Sequence, residues 1–122
     1  MEHLPFLSKT DRELVRKAAG IIAKDLSRHY SIPDLAEMVW VNRSKLQKIF
    51  TAAYGKGPYE YLANLRIEKA QTLLLEGMNL KQISIQIGFT GELSEANFIR
   101  FFKRKTGQTP GSWKENQMKM TG

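Results

Sequence analysis

The 122-residue sequence contains no cysteine. That absence excludes disulfides, thiolate nucleophiles and every zinc site that needs sulfur ligands. The two histidines, His3 and His29, cannot complete a metal tetrad alone, so no metal or other cofactor is expected. A Gly-rich phosphate loop is missing, and the spacing of Ser, His and Asp joins no nucleophile to a base and an orienter. An enzyme is therefore not expected. No apolar run approaches the roughly 20 residues that span a bilayer, and the acid-containing start does not look like a signal or transit peptide. A reducing, cytoplasmic setting without a membrane partner is the expectation. The length of this chain fits one compact domain or two small subdomains sharing a core and leaves no room in it for a large multidomain enzyme.

What is present is a globular balance of 42% hydrophobic and 25% charged residues, with 19 Lys and Arg against 12 Asp and Glu, a net charge of +7. An excess of that sign suits a polyanionic partner, although charge alone does not separate DNA from RNA, an anionic surface or solubility. Its distribution is more informative. Residues 42–56 carry Arg43, Lys45, Lys48 and Lys56 without an acid, and residues 94–105 set Arg100, Lys103, Arg104 and Lys105 against Glu95. Residues 31–41 carry only Asp34 and Glu37. The two basic peaks thus sit on short amphipathic segments in matching positions. Two solvated helix faces would produce the same runs, but matched placement favours a shared task.

Apolar spacing is helical nearly throughout and nowhere alternates with period two, which predicts an all-α fold of about seven helices. A first helix follows Ser8 or Thr10, runs through Leu14, Val15, Ala18, Ile22 and Leu26, and ends before Tyr30. Ser31 caps a short helix starting at Ile32, with Pro33 and Asp34 suited to its first turn and Leu35, Ala36 and Met38 on its buried side. Asn42 caps a third helix with Leu46, Ile49 and Phe50 inward, Arg43, Ser44, Gln47 and Lys48 outward, and Gly55 as its stop. A longer helix from about Tyr59 to Glu76 puts Leu62, Leu65, Ala70, Leu73 and Leu74 on one stripe and stops at Gly77. A short helix from about Leu80 to Ile87 buries Ile83 and Ile87. Ser94 or Thr90 caps the next, whose Phe98, Phe101 and Phe102 repeat at core spacing rather than as a stacking platform for single strands. It ends at Gly107, and Thr109 with Pro110 opens a last helix around Trp113.

One supersecondary unit therefore occurs twice, as "IPDLAEMVWVNRSKLQKIF" and "LKQISIQIGFTGELSEANFIRFFKR". Each is a short helix, a turn and a basic helix, the helix-turn-helix pattern in which the second helix offers its N-terminal half to major-groove base edges. Around the second unit, "IQIGF", "NFIRFFKRKTGQTP" and the aromatic Trp113 follow in order, and "LRIEKAQTLLLEG" forms the intervening helix. With these segments the sequence resembles the AraC/XylS family of bacterial transcription regulators over about residues 12–116.

The resemblance implies two helix-turn-helix subdomains, 12–56 and 78–116, joined by a linker helix at 57–77. It also implies the C-terminal part of a longer regulator, with a sensing or dimerisation domain outside this chain. Double-stranded DNA is the implied partner. Arg43, Ser44, Gln47 and Lys48 match groove-facing positions of the first reading helix, as do Glu95, Asn97 and Arg100 in the second. Arg43, Ser44, Gln47, Lys48, Asn97 and Arg100 are thereby implied to read bases, with Lys45, Lys103, Arg104 and Lys105 on phosphates. Arg66 in the linker helix is implied to be a structural hydrogen-bonding residue. One spacing departs from the family: Ser84 to Phe102 is longer than the matching interval from Ala36 to Phe50, and the extra residues lie within "TGELSEAN". Either the second reading helix begins a turn earlier or the preceding turn is longer. The competing class is a basic helical interaction module docking on an acidic protein such as RNA polymerase.

Overall fold

Side-chain caps decide most of the helix starts. The computed structural model describes residues 7–121, so His3 lies outside the described residues. These contain seven α-helices and no strand: α1 Lys9–Lys24, α2 Ile32–Met38, α3 Arg43–Tyr54, α4 Pro58–Leu75, α5 Leu80–Gln86, α6 Ser94–Thr106 and α7 Pro110–Thr121. The all-α expectation holds. The chain divides into two compact units at Asn64 and Leu65, inside α4. Among the described residues no helix is long and apolar enough to cross a membrane.

In the first unit, Ser8 Oγ accepts from the Asp11 amide and starts α1. The helix ends at Lys24 rather than running on towards Tyr30. Asp25 explains the early stop, because its carboxylate accepts from both the amide and the hydroxyl of Ser27, a local turn that competes with the helix ladder. Those two bonds, the hydroxyl's first, hold the Asp25 carboxyl below its ordinary pKa. Leu26 consequently sits in the turn and not on the helix. Ser31 and Asp34 form a reciprocal capping box at the start of α2. α1 and α2 both pack on α3, enclosing Val15, Ala18, Ile22, Leu35, Ala36, Leu46, Ile49 and Phe50. Tyr61 meets the Phe50 ring edge-on at 5.3 Å.

Met38, expected inside, is exposed, and Val39 is buried in its stead. In a helix of seven residues the stripe needs only Leu35, Ala36 and Val39, which the 100° step per residue places on one side.

The second unit is built around Ile83, Ile87, Phe98 and Phe102, all fully buried, with Phe101 beside them. Phe89 packs against the rings of both Phe98 and Phe101, and Trp113 of α7 meets Phe102 edge-on at 6.0 Å. The phenylalanines are core, as their spacing predicts. Neither Ser94 nor Thr90 caps α6. Leu93 holds the cap position without a side-chain bond, and Ser94 is the first helical residue, buried against the core. Seven residues, 87–93, separate α5 from α6, whereas four, 39–42, separate α2 from α3. The extra length in "TGELSEAN" therefore goes chiefly into the turn, which doubles back through Gly91 at φ +87°.

The two helix-turn-helix turns begin with the same device. Val41 N donates to Ala36 O and Trp40 N to Glu37 O; Phe89 N donates to Ser84 O and Gly88 N to Ile85 O. Both are Schellman closures, which require a left-handed residue after the cap. The second unit uses Gly88 at φ +107°, but the first uses Trp40 at φ +61°, with its indole 90% exposed. A side chain in that conformation costs roughly 1–2 kcal/mol, and Trp40 recovers little of it by packing. Trp40→Gly should therefore raise stability by about 1 kcal/mol, read as a higher denaturation midpoint with an unchanged m-value; a lower midpoint would show that the indole contributes packing that its exposure conceals.

Candidate nucleic-acid interface

Asn42 Oδ1 accepts from the Lys45 amide at 2.8 Å and fixes the first turn of α3. With Leu46, Ile49 and Phe50 committed to the core, the helical step places Arg43, Ser44, Gln47 and Lys48 on one outward arc of about 140°, and all four are exposed. They form one bare polar face, as expected. Lys45 lies at its far flank beside Lys48. Its Nζ is 3.5 Å from Asp11 Oδ1, an ion pair between α3 and α1.

α6 is organised by the same rule with different chemistry. Arg100, Lys103 and Arg104 are exposed and share an arc of about 100° opposite Phe98, Phe101 and Phe102. Lys105 is also exposed, but it occupies the angular sector of Phe98 and Phe101 beyond the packed core, away from Arg100. Asn97 is half-buried at the edge of the face. Its side-chain oxygen accepts a hydrogen bond from Arg100 Nη2. Glu95 points away from the Arg100 arc and borders an open groove with Asn79, Lys81, Gln82 and Ile85 of the α5 region. Arg66 is buried, unlike the surface arginines.

Superimposing the helices by sequence on Phe50 and Phe102, each five residues before a left-handed glycine at Gly55 or Gly107, pairs Lys48 with Arg100 and Gln47 with Ile99. Ser44 pairs with Ala96. Ile99 and Ala96 are half-buried and belong to the outward part of α6, which sequence reading by polarity overlooked. Register from the terminal glycines was the available signal. The two faces are therefore unlike: hydrogen-bonding and basic on α3, apolar with a single flanking guanidinium on the N-terminal half of α6.

A helix-turn-helix domain family profile matches residues 35–116, about two thirds of the chain. The chain belongs to the AraC-type helix-turn-helix family. It is 36% identical over 104 residues to a Streptomyces lividans protein described as an AraC-like transcription regulator, a match covering 84% of this chain and 33% of that one. The chain thus spans only part of the curated relatives it matches, about a third of some and 14% of others. Its fold is similar to the C-terminal domain of AraT, a response regulator from Geobacillus stearothermophilus, with a TM-score of 0.77, 24% identity, and coverage of 92% of this chain and 88% of that domain. It is also similar to the DNA-binding domain of AdpA, a global transcriptional factor solved in complex with a target DNA, with a TM-score of 0.66, 21% identity, and coverage of 89% and 93%.

The Asn42 cap lies directly before the polar arc of this AraC-type domain. Asn42→Ala should cost about 1 kcal/mol and fray residues 43–46, seen as faster amide exchange there than in the rest of α3. Unchanged exchange would show that packing alone holds the first turn.

Proposed function

We propose that this chain binds double-stranded DNA sequence-specifically as a regulator of transcription, with α3 and α6 entering successive major-groove segments. The observation that carries the reading is the repetition of one build. Each helix commits its apolar side to a core and leaves an outward face carrying cationic or hydrogen-bonding groups. Placing such a face in the major groove satisfies those groups with base edges and phosphates. Similarity to AdpA, whose DNA-binding domain is known with its target DNA, supports the same partner class.

On this reading Arg43, Ser44, Gln47 and Lys48 face one segment, Gln47 towards adenine N6 and N7 and Lys48 towards guanine O6 and N7. Arg100 reads guanine in the other. Asn97 Oδ1 accepts from Arg100 Nη2 and keeps a second lone pair and its amide N–H groups for a base edge, so Asn97 meets adenine while aiming the guanidinium. Ile99 and Ala96 suit thymine methyl groups. Lys103, Arg104 and Lys105 meet phosphates, while Lys45, a phosphate position by family resemblance, stands paired with Asp11. Segments one turn apart lie about 34 Å from each other along one side of the duplex, and unlike helices imply an asymmetric site. The setting is the cytoplasm, where RNA polymerase at the same promoter is a further partner.

Arg100→Ala and Lys103→Ala separate the two kinds of contact on a duplex enriched from a random pool. Arg100→Ala should relax preference at one position at a cost of about 1–3 kcal/mol on the enriched duplex. Lys103→Ala should weaken enriched and scrambled duplexes alike and flatten the salt dependence by about 0.9. Equal losses on both duplexes for Arg100→Ala would remove its base-reading role, and a pool that yields no preferred duplex would overturn the proposal as a whole.

A further inference from the structure

The Asp11–Lys45 pair joins a reading helix to a helix that reads nothing. Lys45 Nζ lies 3.5 Å from Asp11 Oδ1, and the Asp11 side chain is only 16% exposed against 51% for Lys45. Three features place the acid on this flank of α3. The Asp11 amide is tied to Ser8 Oγ at 3.0 Å, α1 packs on α3, and an acid in the first turn of a helix is favoured by the helix dipole. Lys45 is the more exposed member of the pair. A phosphate approaching this flank of α3 must displace that carboxylate or lie beside it, where the two anions repel.

We infer that Asp11 is a positioning residue that sets DNA specificity through Lys45, restraining it from sequence-independent contact with phosphate. The inference rests on the duplex-binding reading above. Non-specific affinity grows with the number of phosphates neutralised, each releasing counterions whatever the sequence. A lysine committed to Asp11 adds nothing to that sum, whereas Gln47, Lys48 and Arg43 remain free to engage a matching groove. The carboxylate thus lowers binding to arbitrary duplex more than binding to the correct one. Asp11 touches no base, yet it widens the ratio between them.

The test compares the unaltered chain, Asp11→Asn, Lys45→Ala and the double variant. Each is titrated with scrambled and enriched duplexes across a salt series, with thermal unfolding as a check on folding. Asp11→Asn, nearly isosteric, should tighten scrambled duplex about threefold, the scale of one released surface ion pair. Its log affinity against log salt should steepen by about 0.9, and the ratio of enriched to scrambled affinity should fall. Lys45→Ala alone should leave scrambled binding unchanged, and in the Asp11→Asn background it should cancel the gain. An unchanged or shallower slope for Asp11→Asn overturns the inference, as does a slope lost by Lys45→Ala alone. Should Asp11→Asn fail to fold, the Lys45→Ala slope decides by itself. If the unaltered chain prefers no duplex, the functional reading has failed; if it prefers one and Asp11→Asn matches it in every titration, only the role of Asp11 has failed.

Discussion

Burial of one side of α3 and one side of α6 governs the arrangement of every charged group on those helices. Leu46 and Phe50 in one unit, and Phe98 and Phe102 in the other, are wholly removed from solvent. Each such side chain contributes roughly 1.5–3 kcal/mol when fully buried. A rotation of either helix by one residue would forfeit several of these at once, more than any surface hydrogen bond could restore. The polar faces are thus held in place by the apolar ones. Gln47 and Arg100 point outward because Phe50 and Phe102 must point in.

The caps add local precision to that global constraint. Asn42 and Asn79 fix the starts of α3 and α5 by the same side-chain bond to an amide three residues on. Glycines at Gly55 and Gly107 end α3 and α6 in the left-handed conformation. Between these fixed ends, the units differ where recognition would need them to. The first has a four-residue turn leading to a polar helix face. The second has a seven-residue turn leading to Ala96, Ile99 and an Arg100 steadied by Asn97. One architecture therefore carries two unlike surfaces.

Much of this was legible in the sequence because its causes are local. Capping at Ser31 and Asn42, the Gly55 and Gly107 stops and the inward triplets all follow from residue type and helical period. What stayed hidden has causes that period and propensity do not encode. α1 ends early through a side-chain turn at Asp25 that competes with a continuing apolar pattern. Met38 is exposed and Val39, the cap residue just past α2, is buried, so the last apolar contact lies beyond the helix itself. α6 starts without a capping side chain, so Ser94 and Thr90 offered a signal that the chain does not use. Trp40 occupies a turn position where backbone geometry favours glycine, which its residue type does not announce. The Asp11–Lys45 pair is a tertiary contact between residues remote in sequence, and Asn97 with Arg100 needed side-chain positions to be seen.

Paired reading of duplex DNA by two dissimilar helices is tested most directly by hydroxyl-radical footprinting of the chain on a duplex enriched from a random pool. Two protected patches should appear on the same side of the duplex, centred about one helical turn, roughly 10 base pairs, apart, over base sequences that are not repeats of each other. A single protected patch would contradict paired reading, and so would two patches over identical sequence.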